Sequence, residues 1–303
     1  MKAIEKIKEV TGILAPFGIK SAEREAELLI RFGLGIDQVK LYSENPALDK
    51  GDELLIHKMV TRRTEHEPLQ YIIGSVDFMG LKLEVDEGVL IPRPETELMA
   101  EYALKTITNY EPACRQARLR ITNGDSLPVT RYASLNILDL CTGSGCLALA
   151  IAKEFPESEV IGCDDSEAAL KIAERNAEMN KIKNVKFIKG DLFKPVSDDE
   201  SFDMIISNPP YIRTEDIKGL QPEIRDWEPF KALDGGADGL DYYRLSIPES
   251  IQYVKNNGIV MFEHGDGQSD HIAAIFDKAG FEEIKMIKDY TGKERIIQAR
   301  WTG

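Results

Sequence analysis

Four consecutive residues, Asn208-Pro209-Pro210-Tyr211, combine features suited to holding a planar group that carries an NH2. Two successive prolines hold φ near about −65° and remove two backbone donors, so the carbonyls beside them accept without competing N–H groups. Asn208 adds a side-chain carbonyl, and Tyr211 adds a flat ring. In such a cradle the Asn208 side-chain oxygen and the Pro209 carbonyl each accept one N–H, while Tyr211 packs against the plane. The amino nitrogen is then held with its lone pair exposed. The same tetrapeptide also suits a rigid turn, because Asn-Pro favours turn initiation. Its surroundings must decide.

Those surroundings read as strands and helices in alternation. Met204, Ile205 and Ile206 form a short apolar run suited to a buried strand that ends at Asn208. Upstream, a strand over Asn136–Leu140 leads into Cys141-Thr142-Gly143-Ser144-Gly145 and an apolar helix over Cys146–Phe155. Glycines there let a ligand approach the backbone, and the N–H groups that open the helix face it. A second strand, Val160–Cys163, ends at Asp164, nineteen residues after Gly145 and placed to take two ribose hydroxyls. Ser166 caps a helix over Glu167–Asn180, and a strand over Val185–Ile188 ends in Gly190-Asp191-Leu192-Phe193. Asp191 is expected to accept from an adenine amino group and Phe193 to stack on the ring. The glycine loop also satisfies the pattern of nicotinamide dehydrogenases, so it marks a nucleoside site of either kind. Asn208 to Tyr211 provide an NH2 cradle and no hydride site.

The amino-terminal part is of another kind. Ile4, Ile7, Val10, Ile13 and Leu14 follow helical spacing up to Pro16 and Gly18. A second helix, capped by Ser21, carries Ala22, Ala26, Leu29 and Ile30 on its apolar face, and a third runs from Asp52 to Glu65. Helices this short pack as a bundle. Residues 1–70 are expected to form this helical substrate-recognition domain, 71–90 a β-hairpin linker centred on the alternating pattern from Gln70 to Val85, and 91–303 the catalytic domain. Prolines stiffen Leu90–Glu97 before a helix from Glu95 to Lys105, and the polar stretch Tyr110–Ser134 is expected to be a surface connection.

Charge narrows the substrate class. The net charge is −14; residues 1–75 carry 11 basic and 12 acidic side chains, so the remainder holds −13 of it. A surface that acidic repels phosphate backbones. No apolar run reaches the roughly 18 residues of a membrane span, and MKAIEKIKEV lacks the apolar core of a signal peptide, so a cytoplasmic location and no membrane partner are expected. Cys141, Cys146 and Cys163 sit in apolar surroundings without CxxC or histidine at zinc spacing, and no metal site is expected.

The blocks Glu67–Tyr71, Leu90–Glu97, Asp139–Gly145, Asn208–Tyr211, Leu233–Leu240, Glu263–Gly265 and Asp289–Ile296 together resemble the peptide chain release factor N(5)-glutamine methyltransferase family. Asn-Pro-Pro-Tyr alone is shared with adenine N(6)-methyltransferases; the combination with the proline-glutamate block is more specific. The resemblance covers nearly the whole chain. It implies an α/β fold with a class I, Rossmann-like methyltransferase domain and a mostly parallel seven-stranded sheet whose later strands are Gly258–Phe262, Glu282–Ile287 and Arg295–Arg300. It also implies S-adenosylmethionine as cofactor and, as protein partners, class 1 release factors that present glutamine in a Gly-Gly-Gln loop, with no direct nucleic acid.

Residue by residue, Cys141, Thr142, Gly143, Ser144 and Gly145 match the family's cofactor loop, Asp164 its ribose acid and Phe193 its adenine-side aromatic. Asn208, Pro209, Pro210 and Tyr211 match the catalytic clamp, with Asn208 also beside the cofactor. Cys141 stands where the loop usually has its first glycine, and Tyr110–Ser134 is longer than usual. The expected chemistry is direct in-line transfer of a methyl group to an amide nitrogen, driven by orientation and electrostatics. The alternatives are adenine methylation on nucleic acid, methylation of a glutamine in a ribosomal protein, and a non-catalytic binding module.

Overall fold

The computed structural model describes residues 1–109 and 134–303. The expected surface connection, apart from Ser134, lies outside the described residues. Two compact units are present. One comprises Met1–Ser75 with Gln221–Trp227, and the other Val76–Leu220 with Glu228–Gly303. The expected boundary at residue 70 and the separate linker therefore differ from this division in two respects. The hairpin strands Ser75–Phe78 (β1) and Leu81–Glu84 (β2) fall almost wholly in the second unit, and seven residues from far along the chain join the first.

The first unit is helical: α1 Ala3–Leu14, α2 Ala22–Leu34, α3 Gln38–Glu44, α4 Lys50–Thr64 and α5 Leu69–Ile73. Its core gathers the periodic apolar positions, among them Ile7, Val10, Leu14, Ala26, Leu29, Ile30 and Met59. Two of these helices, α3 and α5, have too few apolar repeats to show as periodicity. Helix α3 starts instead because the Asp37 side chain accepts from the Lys40 N–H. Ser21 does not cap α2 as expected; its hydroxyl donates to Glu25 at 3.2 Å. Buried Arg63 ties the bundle to the distant segment by pairing with Glu25 at 2.6 Å and Glu223 at 3.0 Å.

The second unit opens with the β1–β2 hairpin, turned at Met79 and Gly80, both at positive φ as a two-residue hairpin turn requires. Then come α6 Pro94–Thr108, β3 Asn136–Leu140, α7 Cys146–Glu154, β4 Glu159–Asp164, α8 Glu167–Met179, β5 Val185–Lys189 and β6 Phe202–Ser207. Single-turn helices follow, then α9 Asp241–Ser250, β7 Val254–Glu263, α10 Ser269–Ala279, β8 Glu282–Lys288 and β9 Glu294–Arg300. Helices α9 and α10 have no counterpart in the sequence reading. The seven-stranded sheet has the order β5-β4-β3-β6-β7-β9-β8, parallel except for β9.

Alternate residues of each central strand enter opposite cores. Ile137, Met204, Ile206, Ile259 and Met261 pack on the face covered by α6 and α7. Leu138, Ile205, Val260 and Phe262 pack on the face covered by α9 and α10. A parallel sheet buried on both faces needs such unbroken apolar runs. Its order reverses at β3, and ligands bind outside the carboxyl ends of strands at such a point. The register sets what stands there: Leu140 pairs with Cys163 and with Ser207, and Ser207 pairs with Phe262. Cys141, Asp164, Asn208 and Glu263 are each the next residue, so four neighbouring strands deliver them to one edge.

Candidate active site

The turn after β3 is wound left-handed at alternate positions, with φ of 56° at Cys141, 54° at Gly143 and 81° at Gly145. The first of these explains why glycine is usual where this chain has cysteine: the backbone adopts a conformation that a side chain resists. Cys141 pays that strain, and burial pushes its thiol well above the ordinary range. Gly145 serves packing. A Cβ there would sit 3.1 Å from both Ala173 and Phe187.

Two carboxylates hold the turn. Asp139 is fully buried, and its Oδ2 accepts from the Thr142 hydroxyl at 2.6 Å and from the Ala148 N–H at 3.1 Å. Burial raises it to about 7. Asp164 accepts from the Gly143 N–H at 2.9 Å and, through its other oxygen, from the Ser166 N–H at 2.9 Å. Burial raises its pKa above the usual carboxylate range, against the pull of those two N–H groups. Ser166 caps α8 as expected, accepting from the Ala169 N–H at 3.2 Å.

These groups border one cavity of about 180 Å³, an order of magnitude more than a single water needs. Cys141, Thr142, Gly143, Ser144, Asp164 and Asn208 line it, together with Asp139, Asp191 and Pro210. Gly145, Pro209 and Tyr211 are not among its lining residues. The Tyr211 hydroxyl donates to Glu263 at 3.4 Å, and the Tyr211 carbonyl accepts from Gln268 Nε2 at 2.9 Å. Gly235 packs so closely that a Cβ would lie 2.7 Å from Tyr211 Cα.

Phe193 requires correction as the adenine-side aromatic. It is 0% exposed and stacks on Tyr253, centroids 4.8 Å apart. The left-handed turn at Leu192, φ 51°, leaves Leu192 in the cavity wall and Phe193 in the core. Asp191 does line the cavity, and its carboxylate pairs with Lys194 at 2.6 Å.

Three residues without an assigned role in the sequence reading complete the site. Asp139 is one. Thr96, at the start of α6, accepts from Asn208 Nδ2 at 3.1 Å and donates to Glu263 Oε2 at 2.8 Å. Glu263, at the end of β7, is 1% exposed and raised to about 7, chiefly by burial. All three lie in blocks that carried the resemblance, which was the signal available. What connects them is proximity in space.

The strand order and the cavity at its reversal define a class I methyltransferase fold. Residues 125–221 match the family described as "Methyltransferase small domain", and residues 5–74 match "PrmC N-terminal domain". Among solved structures, the hMettl16 catalytic domain in complex with MAT2A 3'UTR hairpin 6 aligns with a TM-score of 0.54 at 12% identity, covering 83% of this chain and 81% of that one, a likeness of fold alone. The release factor glutamine methyltransferase of Thermodesulfovibrio yellowstonii is 42% identical over 297 residues, covering 98% of this chain and 97% of its own. That of Geobacter sulfurreducens is 38% identical, covering 98% and 96%. The chain belongs to the release factor glutamine methyltransferase family, and it is an S-adenosylmethionine-dependent enzyme.

The cavity fits that cofactor. Asp139 Oδ1 is buried in its wall and, among the described residues, has no hydrogen-bond partner. An unsatisfied buried carboxylate oxygen suits a ligand that brings a donor and positive charge, as an amino acid bearing a sulfonium does. Among the described residues no helix is long and apolar enough to cross a membrane.

Proposed function

We propose that the protein transfers a methyl group from S-adenosylmethionine to the side-chain amide nitrogen of the glutamine in the Gly-Gly-Gln motif of class 1 peptide chain release factors. The observation that carries this reading is the Asn208 amide. Its Nδ2 is engaged by Thr96, and among the described residues Oδ1 has no hydrogen-bond partner, beside the cofactor cavity. A free, fixed carbonyl oxygen is what an incoming NH2 needs.

S-adenosylmethionine supplies a methyl group on a positively charged sulfur. The residues of the cavity would hold it: Asp164 would meet the ribose hydroxyls, Asp139 would face the positive end, and the turn Cys141–Gly145 would present its backbone. Asn208 Oδ1, with the Pro209 carbonyl as second acceptor, takes the two N–H groups of the glutamine and orients the nitrogen. Drawing on both N–H bonds places electron density on a nitrogen whose lone pair is otherwise delocalised. Orientation of this kind supplies up to about 7–11 kcal/mol of a barrier. No strong base is needed before transfer, since the proton leaves once the nitrogen is cationic. His264 is kept neutral by burial, and its Nδ1 is 2.8 Å from the Gly265 carbonyl, in keeping with a structural part.

A protein substrate agrees with the acidic charge of residues 76–303, which disfavours nucleic acid, and release factors place the reaction in the cytoplasm. The helical unit is assigned to recognising the release factor, its near-neutral charge contrasting with the remainder. Labelled S-adenosylmethionine with a release factor should give one methyl on the Gly-Gly-Gln glutamine, located by mass spectrometry, and none when that glutamine is replaced by glutamate. Label on adenine with release factors untouched would replace this reading. Hydrogen exchange with bound release factor should protect backbone within Met1–Ser75; protection confined to residues 76–303 would remove the helical unit from recognition.

A further inference from the structure

An asparagine amide can sit two ways round, and only one offers its oxygen to a substrate NH2. The structure contains a device that selects between them. Thr96 Oγ1 has a single proton, and that proton goes to Glu263 Oε2 at 2.8 Å. The Thr96 oxygen therefore turns only lone pairs toward Asn208, which meets them with Nδ2 at 3.1 Å. The opposite amide orientation would set two acceptors against each other, a buried mismatch that is costly.

Glu263 is itself held from several elements. The Tyr211 hydroxyl, after β6, donates to Oε1 at 3.4 Å, and the Tyr243 hydroxyl of α9 donates to the Glu263 backbone carbonyl at 2.7 Å. Glu95 of α6 raises its proton affinity and Arg295 of β9 lowers it, with burial the dominant influence. As a carboxylate, Glu263 only accepts at Oε1 and Oε2, so the Tyr211 and Thr96 hydroxyls must point at it and the chain runs one way: Asn208 to Thr96 to Glu263.

We propose that Thr96 and Glu263 are positioning residues for methyl transfer: the Glu263 carboxylate fixes the direction of the hydrogen-bond chain, and Thr96 passes that direction to Asn208, so that Oδ1 faces the acceptor nitrogen. This rests on the role given to Asn208 above. When Glu263 takes up a proton, its own O–H donates to Thr96, the Thr96 hydroxyl is released toward Asn208, and the amide loses its enforced orientation.

The test uses the full chain with a release factor and S-adenosylmethionine, measuring kcat at saturating cofactor, cofactor affinity by calorimetry, and the pH profile of kcat. Thr96→Val keeps the shape and removes the relay; kcat should fall about 10- to 100-fold while cofactor affinity stays within about threefold. Thr96→Ser restores the hydroxyl and should return kcat to within about threefold of wild type. In the wild type kcat should decline on the acid side as Glu263 takes up its proton, and Glu263→Gln should flatten that limb. Wild-type kcat in Thr96→Val, or Thr96→Ser as impaired as Thr96→Val, overturns the proposal while the wild type still labels glutamine. If Thr96→Val does not fold, an acid limb unchanged in Glu263→Gln overturns it alone. A wild type that labels no glutamine fells the reading of Asn208, and this inference with it.

Discussion

Gly143 donates its backbone N–H to Asp164 Oδ2 across 2.9 Å, so the turn after β3 and the end of β4 form one rigid wall of the cavity. Removing the carboxylate loses the groups proposed to meet the ribose and also frees the Gly143 and Ser166 N–H groups. Asp164→Ala should weaken S-adenosylmethionine binding by about 1.5–3 kcal/mol, the range for hydrogen bonds to charged groups. Calorimetry on the folded variant checks this, and unchanged affinity removes Asp164 from the site.

Asn208→Ala should separate chemistry from cofactor binding. Loss of one preorganised hydrogen-bond partner of the reacting group costs about 10²–10³-fold in kcat. Cofactor affinity should change far less, because Asp139 and Asp164 stay in place. Turnover within a few-fold of wild type in single-turnover kinetics would sink the cradle.

Gly145→Ala tests the turn as a packing element. Its φ is 81°, and the new Cβ would meet Ala173 and Phe187 at 3.1 Å. Overpacking and left-handed strain together should cost about 1–3 kcal/mol of stability, read as a lower urea midpoint. An unchanged midpoint would show that the wall yields.

The buried Asp139 should make the cofactor-free protein lose stability as pH rises. Its carboxyl is raised from the ordinary 3.8 to about 7, so the folded chain binds this proton more tightly than the unfolded chain. The stabilisation is complete below about pH 4 and is lost as pH climbs through about 7. Asp139→Asn cannot ionise. The difference in melting temperature, variant minus wild type, should shift in the variant's favour across that window; a difference independent of pH would contradict the burial argument.

Local chemistry along the chain dictates several elements without reference to their neighbours. Apolar runs at Asn136–Leu140 and Met204–Ile206, each ending at a turn signal, suit buried strands, and a turn wound through Gly143 and Gly145 needs residues without side-chain hindrance. Ser166 three residues before Ala169 is a cap readable from spacing alone. Hence the βα units, the acid at the end of β4 and Asn208 at the end of β6 were all legible, as was the family through its blocks.

Tertiary structure decided what depends on strands finding neighbours. Thr96 lies 112 residues from Asn208 and 167 from Glu263; β6 pairs with β7 in the register that sets Ser207 against Phe262, which brings Asn208 beside Glu263, and α6 packs on β7 to deliver Thr96 to both. Phe193 left the cavity because one left-handed residue before it turned the ring into the core, where stacking on Tyr253 buries it. Gln221–Trp227 joined the helical unit, where Glu223 meets the buried Arg63 guanidinium, 160 residues away. Periodicity and capping act over a few residues and leave a trace in the chain. Hydrogen bonds between distant segments form once burial has removed water, and their partners are chosen by the register of the sheet.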